Sequence, residues 1–364
     1  MQIMVNFLFL FTLFFSLQLS FAQYWNKNKP TENQYNFNQL KYGMFIHFGI
    51  NTYNDMEWSY GDLPLSSFKL DSVYCDQWVQ TAKKAGMKYI IFTTKHVDGF
   101  CNWHTRFTEY SIVNTPYKKD LLKQLAEACR RHGMKLGLYY CLWDTNNKDH
   151  VKNEARYNEF VRNQVTELLT NYGDVVCLWF DGFWKNQKSG WKSQNTTIDG
   201  EVIEKNNLEK RNEIFMNAWR NEGAYRLEWD QLYLLIKKLQ PNCLVMNNPT
   251  TAFLGLPLMP VDVRAAEKGY KLEKNDSIWN WLGDSTYIPL EIEMTLSQKG
   301  TKLFPSGNWF WHEWDNSVAS IELVNEWVEK AKKLRSNLVL NVGPKSNGKL
   351  RDEDIQLLEK LNLK

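Results

Sequence analysis

The chain alternates between short apolar runs and longer segments in which apolar residues recur every three or four positions. Five of the longer segments have the helical period, at residues 72–86, 120–133, 155–173, 226–240 and 317–336. The apolar runs are strand candidates, at residues 42–50, 89–96, 135–143, 175–182, 242–248, 261–267, 290–297 and 337–344. Strands that alternate with helices pair in parallel, and continuous apolar runs indicate strands buried on both faces. About eight such units predict an α/β fold closed into a (β/α)₈ TIM-like barrel. The alternative is an open α/β sheet, but no glycine-rich phosphate loop follows any of the runs.

A separate apolar segment opens the chain. Residues 5–19 are rich in Phe and Leu, and residues 20–22 read Ser-Phe-Ala, a small-x-small cleavage pattern. This pattern predicts a signal peptide at residues 1–22 and an exported protein, periplasmic or secreted, that is not bound to a membrane after cleavage. An uncleaved anchor is the alternative, because no Lys or Arg precedes the apolar run, although the run is shorter than the ~20 residues of a spanning helix.

Composition narrows the function classes. The net charge of +3 in 364 residues gives no electrostatic case for a nucleic-acid partner. Aromatic residues make up 15% of the chain, with 16 tryptophans, which fits either a carbohydrate site or a Trp-rich core. Six cysteines lie at wide spacing without a Cys-x-x-Cys motif or a histidine cluster. We therefore expect no metal site, no cofactor and no disulfide framework.

Polar residues that follow the apolar runs are candidates for chemistry, because the carboxyl ends of barrel strands share one face. They are His47, His96, Asp98, Tyr139, Tyr140, Asp144, Asp181, Asn247, Asn248, Arg264 and Glu267. Carboxylates on two different strands, Asp181 and Glu267, are what a glycosidase needs for nucleophilic and acid/base catalysis. The competing interpretations are that Asp181 caps the next loop, that Glu267 is an exposed loop residue, and that His47 and His96 are core residues.

Several motifs occur in the order and spacing of a known family. They are "KYGMFIHFGINTY", "EWSYGD", "AGMKYIIFTTKHVDGF", "GLYYCLWD", "VVCLWFDG" and "SNLVLNVGPKSNG". Over residues 40 to about 360 the chain resembles the α-L-fucosidases of glycoside hydrolase family 29. The resemblance implies a barrel fold and a retaining, exo-acting hydrolase. Its expected substrate is a glycan that ends in α-L-fucose or in a related sugar such as L-galactose.

The resemblance also implies roles for single residues. The aspartate of Leu-Trp-x-Asp, Asp181 here, corresponds to the nucleophile, and "VDVRAAEKG" points to Glu267 as the acid/base. Glu291 in "YIPLEIEM" is the rival acid/base, because a Pro-x-Glu approaches the site in the linkage-restricted branch of the family. The implied substrate contacts are Phe45, which would flank the C6 methyl group, together with His47, Trp58, His96, Tyr139, Trp179, Arg264 and His312.

The sequence departs from the family pattern in three places. Val97 replaces the second of two adjacent histidines, and "NNPT" from Asn247 replaces the usual Asn-Asp-Arg. No C-terminal β-sandwich is expected, so residues 23–364 should form a single catalytic domain. The first two departures leave open a catalytically silent sugar-binding protein that keeps the pocket. A cofactor-dependent barrel enzyme has no phosphate or metal motif in its support.

Overall fold

The computed structural model describes residues 28–182, 227–248, 260–268, 277–281, 284–300, 307–361 and 363. The predicted signal peptide lies outside these ranges, as does most of the polar segment that follows residue 182. Ten strands occur in the described part, in chain order β1 (Tyr42–Ile46), β2 (Tyr89–Lys95), β3 (Lys135–Cys141), β4 (Val175–Asp181), β5 (Leu244–Asn247), β6 (Val263–Glu267), β7 (Ile278–Trp281), β8 (Asp284–Tyr287), β9 (Leu290–Thr295) and β10 (Asn337–Val342).

Eight of these strands form a closed parallel barrel in the order β1-β10-β9-β6-β5-β4-β3-β2. Each of the eight predicted apolar runs contains one barrel strand, so the barrel prediction is confirmed. The open α/β alternative is wrong, because β1 pairs with both β2 and β10 and leaves no edge.

The helices of the described residues are α1 (Glu32–Asn38), α2 (Cys75–Lys84), α3 (Leu121–His132), α4 (Asp149–Lys152), α5 (Glu154–Asn171), α6 (Trp229–Leu239), α7 (Ile321–Leu334) and α8 (Asp352–Lys360). All five segments with helical period contain a helix. Side-chain caps fix the first turn of two helices. The Asp120 side chain accepts a hydrogen bond from the Lys123 amide at the start of α3, and the Ser320 side chain accepts one from the Leu323 amide at the start of α7. None of the helices in the described ranges is long and apolar enough to cross a membrane.

Strand residues alternate between two apolar clusters. The inner cluster fills the barrel and contains Phe45, Tyr89, Ile91, Tyr139, Cys141, Cys177, Trp179, Leu244, Met246, Val263, Ala265 and Val339, with Phe37, Val97 and Trp143. Their sequence neighbours on each strand, such as Met44 and Tyr140, join a second cluster that packs under the helices. Successive strand residues point to opposite faces, so the pleat decides which side chains can reach the barrel axis.

One feature of the fold does not follow from the periodicity. No element is predicted between the apolar runs 261–267 and 290–297, yet this segment contains an antiparallel hairpin, β7 paired with β8, inserted between the sixth and seventh barrel strands. The hairpin strands have four residues each, too short to show a period-2 pattern among the surrounding polar positions.

Candidate active site

Asp181 is the last residue of β4 and lies at the carboxyl ends of the barrel strands, which we call the mouth of the barrel. The Tyr139 hydroxyl donates to Asp181 Oδ2 at 2.7 Å, and Asn248 Nδ2 donates to Oδ1 at 3.1 Å. Gly182 follows with φ +70°, and a Cβ there would lie 2.7 Å from both Cys141 Sγ and the Trp143 amide nitrogen. Only glycine fits this left-handed turn, which leads the chain away directly after the carboxylate.

A second carboxylate faces the same donor. Asn248 Nδ2 also donates to Glu267 Oε2, at 2.9 Å. Because both bonds share one nitrogen, Asp181 Oδ1 and Glu267 Oε2 lie at most about 6 Å apart, below the ~6.5–9.5 Å spacing typical of inverting glycosidases. Glu267 is exposed at the mouth, whereas Asp181 is half-buried. The geometry therefore brings together the two carboxylates predicted from the strand ends.

The environments of these carboxylates differ. Burial raises the pKa of Asp181 above its ordinary value, and hydrogen bonds from Tyr139, the Gly182 amide and Asn248 offset only part of this increase. Loss of hydration and the nearby charge of Asp181 raise the pKa of Glu267 to about 6, against the lowering effects of Asn248, Lys268 and Trp309. Three donors stabilise the ionised form of Asp181, while Glu267 remains protonated in mildly acidic solution.

His47, directly after β1, is neutral and oriented. Its Nδ1 lies 2.6 Å from Asn341 Oδ1, while Asn341 Nδ2 donates to the Trp309 carbonyl at 2.9 Å. Since that donation fixes the amide, Asn341 Oδ1 faces the histidine and His47 Nδ1 carries the proton. Burial lowers the pKa of His47 to about 3 even though the Asn341 bond raises it. His47 Nε2 is therefore a hydrogen-bond acceptor.

Aromatic rings surround the two histidines. His96 stacks on Tyr139 with ring centroids 5.6 Å apart, and Tyr139 stacks on Trp179 at 5.3 Å. Phe45 lies edge-on to Trp179 at 5.4 Å and 4.5 Å from the His47 ring. Burial lowers the pKa of His96 well below its usual value. Five residues predicted as substrate contacts thus form one continuous wall. Trp58, the sixth, is half-buried against the same inner cluster.

A loop after β9 adds two aromatic residues that the sequence reasoning missed. Trp309 lies 5.1 Å from the His47 ring, and Phe310 lies 5.1 Å from the His96 ring. The buried carboxylate of Glu57 accepts the backbone amides of both residues, each at 2.9 Å. The family resemblance points to His312 in this segment, whereas Trp309 and Phe310 are the residues that lie against the histidines of the mouth.

His312 itself supports this loop. Its Nδ1 lies 2.7 Å from Asp55 Oδ1 and its Nε2 lies 2.9 Å from Glu57 Oε1, so both ring nitrogens are bonded to protein carboxylates. Burial alone would lower the pKa of His312, but the bonds to Glu57 and Asp55 outweigh it and raise the pKa. In the structure His312 therefore joins two loops of the rim, and its role as a sugar contact stays a prediction.

Two further predicted residues lie away from the mouth. Glu291, the second residue of β9, is fully buried below it and accepts the Tyr89 hydroxyl at Oε2. Arg264 alternates on β6 with the inner residues Val263 and Ala265, so the pleat directs it towards the outer layer. This geometry favours Glu267 over Glu291 as the acid/base and does not bring Arg264 among the sugar contacts.

The loops after β2 and β3 are tied together by a buried ion pair. Lys95 Nζ lies 3.0 Å from Asp144 Oδ2, with 0% and 2% of the two side chains exposed. Asp144 Oδ1 accepts the amides of Asn146 and Asn147, at 3.0 and 2.9 Å. Because Lys95 directly precedes His96, this pair fixes the backbone from which His96 projects.

The residues that sequence reasoning missed had detectable signals. Asn341 is a polar residue inside the eighth apolar run, close to its carboxyl end. Glu293 lies two residues after Glu291, and the period of two places both carboxylates on the inner face of β9. Asn248 was among the strand-end residues, but no sequence pattern shows one amide between two carboxylates. Within the described ranges, no group of three or more His, Cys, Asp or Glu residues could hold a metal ion.

Comparison with known proteins agrees with this geometry. The family model "Alpha-L-fucosidase" matches residues 51–242, just over half of the chain. The chain is 27% identical to Alpha-L-fucosidase 1 of Arabidopsis thaliana, over 97% of this chain and 65% of that protein. It is also 27% identical to a rice relative of which it covers 57%, so it spans less than two thirds of either protein.

Solved structures of the family share the fold. A glycoside hydrolase 29 family member from an unknown rumen bacterium is 30% identical with a TM-score of 0.72, over 93% of this chain and 57% of that one. Alpha-L-fucosidase isoenzyme 1 from Paenibacillus thiaminolyticus is 25% identical with a TM-score of 0.69, over 91% of this chain and 74% of that one. With its paired carboxylates at the mouth of an eight-stranded barrel, this chain belongs to the α-L-fucosidase family, glycoside hydrolase family 29.

Proposed function

We propose that the protein is a retaining exo-glycosidase that releases terminal α-L-fucose, or a related L-sugar such as L-galactose, from glycans. One observation carries the proposal: Asp181 and Glu267 face one shared donor, Asn248, at the mouth of the barrel. Their nearest oxygens are separated by at most about 6 Å, which is compatible with the ~5–5.5 Å of a double-displacement mechanism. The names of the relatives support the sugar specificity.

In the first step, a carboxylate oxygen of Asp181 attacks the anomeric carbon, and the bond from that carbon to the leaving oxygen breaks. The leaving oxygen takes the proton of Glu267, whose pKa of about 6 keeps that proton available in mildly acidic solution. In the second step, Glu267 removes a proton from water, the water oxygen attacks the anomeric carbon, and Asp181 leaves as a carboxylate.

The walls of the mouth suit a sugar with both hydroxyl groups and an apolar face. His47 Nε2 can accept a hydroxyl proton, because its Nδ1 donates to Asn341. The Trp179 and Trp309 ring centroids lie 5.4 and 6.3 Å from the Phe45 centroid, and the three rings offer apolar surface for C–H groups or a methyl group. We therefore assign sugar binding to His47, His96 and the aromatic wall.

The test is hydrolysis of an aryl α-L-fucoside, followed by proton NMR during the first minutes. We expect the α-anomer of fucose to form first, and Asp181→Ala to abolish turnover while leaving the melting temperature near the wild-type value. An initial β-anomer would refute the retaining mechanism. Equal activity of wild type and Asp181→Ala would refute the assignment of the nucleophile.

A silent sugar-binding protein is the second candidate, and Val97 favours it. This residue is 1% exposed in the inner cluster and supplies no polar atom from its side chain. If fucose raises the melting temperature while aryl fucosides, aryl α-L-galactosides and fucosylated oligosaccharides are all left intact, the binding protein is the correct function.

We also propose export. The Phe/Leu-rich segment at residues 5–19 and Ser-Phe-Ala at 20–22 support cleavage after Ala22. Intact-mass measurement of the protein from a host with a secretory pathway should give a mature chain that begins at Gln23. A full-length chain retained in the membrane fraction would support the uncleaved anchor instead.

A further inference from the structure

A third carboxylate, Glu293, lies behind the two at the mouth. It is fully buried on the inner face of β9, and its register partner on β6 is Glu267. The Trp179 indole Nε1 donates to Glu293 Oε1 at 3.1 Å, and the Ala266 amide donates to Oε2 at 2.9 Å. One side chain therefore holds both the indole beside the nucleophile and the backbone that directly precedes Glu267.

A fourth carboxylate, Glu291, lies two residues before Glu293. The period of two places both side chains on the inner face of β9, and both residues are fully buried. Glu291 Oε2 accepts the Tyr89 hydroxyl at 2.5 Å, and Glu291 Oε1 is buried without any other donor among the described residues. Two negative charges on neighbouring buried side chains repel each other, which favours retention of a proton by the pair.

We propose that Glu293 is a positioning residue that shares one proton with Glu291 and thereby fixes Trp179 and the strand end carrying Glu267. The kinetic tests of this inference rest on the proposed hydrolase function, whereas the positioning role itself does not. The proton belongs to the pair rather than to either residue, since strongly interacting sites titrate together. Burial raises the pKa of both Glu291 and Glu293, and the charge of Glu291 raises that of Glu293 as well, which supports a proton held by the pair.

The groups around Glu291 and Glu293 show how a proton shared by these two residues changes the charge next to Glu267. Tyr89 on β2 and Cys177 on β4 lie on one side, and burial keeps both of them neutral by raising their pKa. Glu267 on β6 lies on the other side, and its charge acts on Glu293. A doubly ionised pair would place two negative charges behind Glu267, whereas the shared proton limits them to one.

The experiment compares Glu293→Gln with Glu167→Gln as a matched control. Glu167 on α5 makes the same two kinds of bond, accepting the Trp103 indole at 3.2 Å and the Arg106 amide at 3.1 Å, and it is 4% exposed. It lies in the outer layer, so its replacement reproduces the loss of a buried carboxylate without touching the mouth. Both variants should lose similar stability in urea unfolding.

We expect Glu293→Gln alone to change catalysis. Its kcat/KM on an aryl α-L-fucoside should fall about 10- to 100-fold, as for a small displacement of reacting groups. The decrease in kcat/KM should be larger for a fucoside with an alkyl leaving group than for one with a nitrophenol leaving group, because only the alkyl group needs the proton of Glu267 to leave. Affinity for L-fucose, measured by calorimetry, should fall, because the single amide oxygen of Gln cannot accept both the Trp179 indole and the Ala266 amide. Identical kinetics and affinity in Glu293→Gln and Glu167→Gln would overturn the proposal.

A second measurement does not depend on turnover. Infrared difference spectra at pH 7 between wild type and either Glu291→Gln or Glu293→Gln should show the loss of a protonated carboxyl band, and Glu167→Gln should not. If no fucoside is hydrolysed by the wild type, but this band is present and Glu293→Gln weakens fucose binding, the positioning role stands while the proposed hydrolase fails. Absence of the band from the wild type would overturn the shared proton.

Discussion

Removing the hydroxyl of Tyr139 tests the role of Asp181 as the nucleophile. The adjacent Tyr140 provides a matched control. Tyr139 is 1% exposed and donates to Asp181 Oδ2 at 2.7 Å. Tyr140 is fully buried and donates to Gln164 Oε1 at 2.8 Å in the outer layer. Replacing each with Phe removes one buried hydroxyl and retains the ring, and only Tyr139→Phe changes a group at the mouth.

The size of the effect depends on two opposing contributions. Asp181 loses charge as it bonds to the anomeric carbon, so a bond to the charged carboxylate weakens in the transition state, and its loss alone would not slow the attack. The same bond holds the carboxylate oxygen in position, and a small displacement of a reacting group can cost about 100-fold in rate. We therefore expect kcat/KM of Tyr139→Phe to fall about tenfold, because the loss of positioning outweighs the higher energy of the free carboxylate.

The pH profile separates this role from a general loss of packing. The Tyr139 bond lowers the pKa of Asp181, so its removal raises that pKa, and the ionised nucleophile is lost at a higher pH on acidification. The acidic limb of kcat/KM should move to higher pH in Tyr139→Phe and stay unchanged in Tyr140→Phe. The reasoning is refuted if the limb of Tyr139→Phe stays in place, or if both variants shift it equally.

Three further outcomes test other parts of the structure. Because Glu267 must be protonated for the first step, kcat/KM should decline as the pH rises through about 6, and a pH titration of Glu267→Gln should lack this basic limb. Asp144→Ala leaves the Lys95 ammonium buried without its partner, so urea unfolding should show a loss of about 3–5 kcal/mol, whereas an unchanged midpoint would contradict a buried ion pair. Gly182→Ala places a methyl group 2.7 Å from the Trp143 amide at φ +70°, and a melting temperature and kcat equal to wild type would show that the turn tolerates a side chain.

The sequence predicts this fold well, because a parallel barrel repeats one signal eight times and both faces of each strand are apolar. It also predicts Asp181 and Glu267, since each is a polar residue at the end of such a run. The bridging role of Asn248 depends on the distance between β4 and β6, which no local pattern records. The position of Arg264 depends on the pleat, and shifting the strand register by one residue would reverse the side on which it lies.

The valine at position 97 changes less of the site than its sequence context suggests. The Val97 carbonyl accepts the Thr145 amide at 3.0 Å and its hydroxyl at 3.1 Å, so the loop after β2 is joined to the loop after β3 through backbone atoms. The Lys95–Asp144 ion pair holds the same two loops from the outer side. Because neither connection needs a histidine side chain, the substitution removes one polar contact and leaves His96 stacked on Tyr139. The architecture of the loop therefore does not depend on a histidine at position 97.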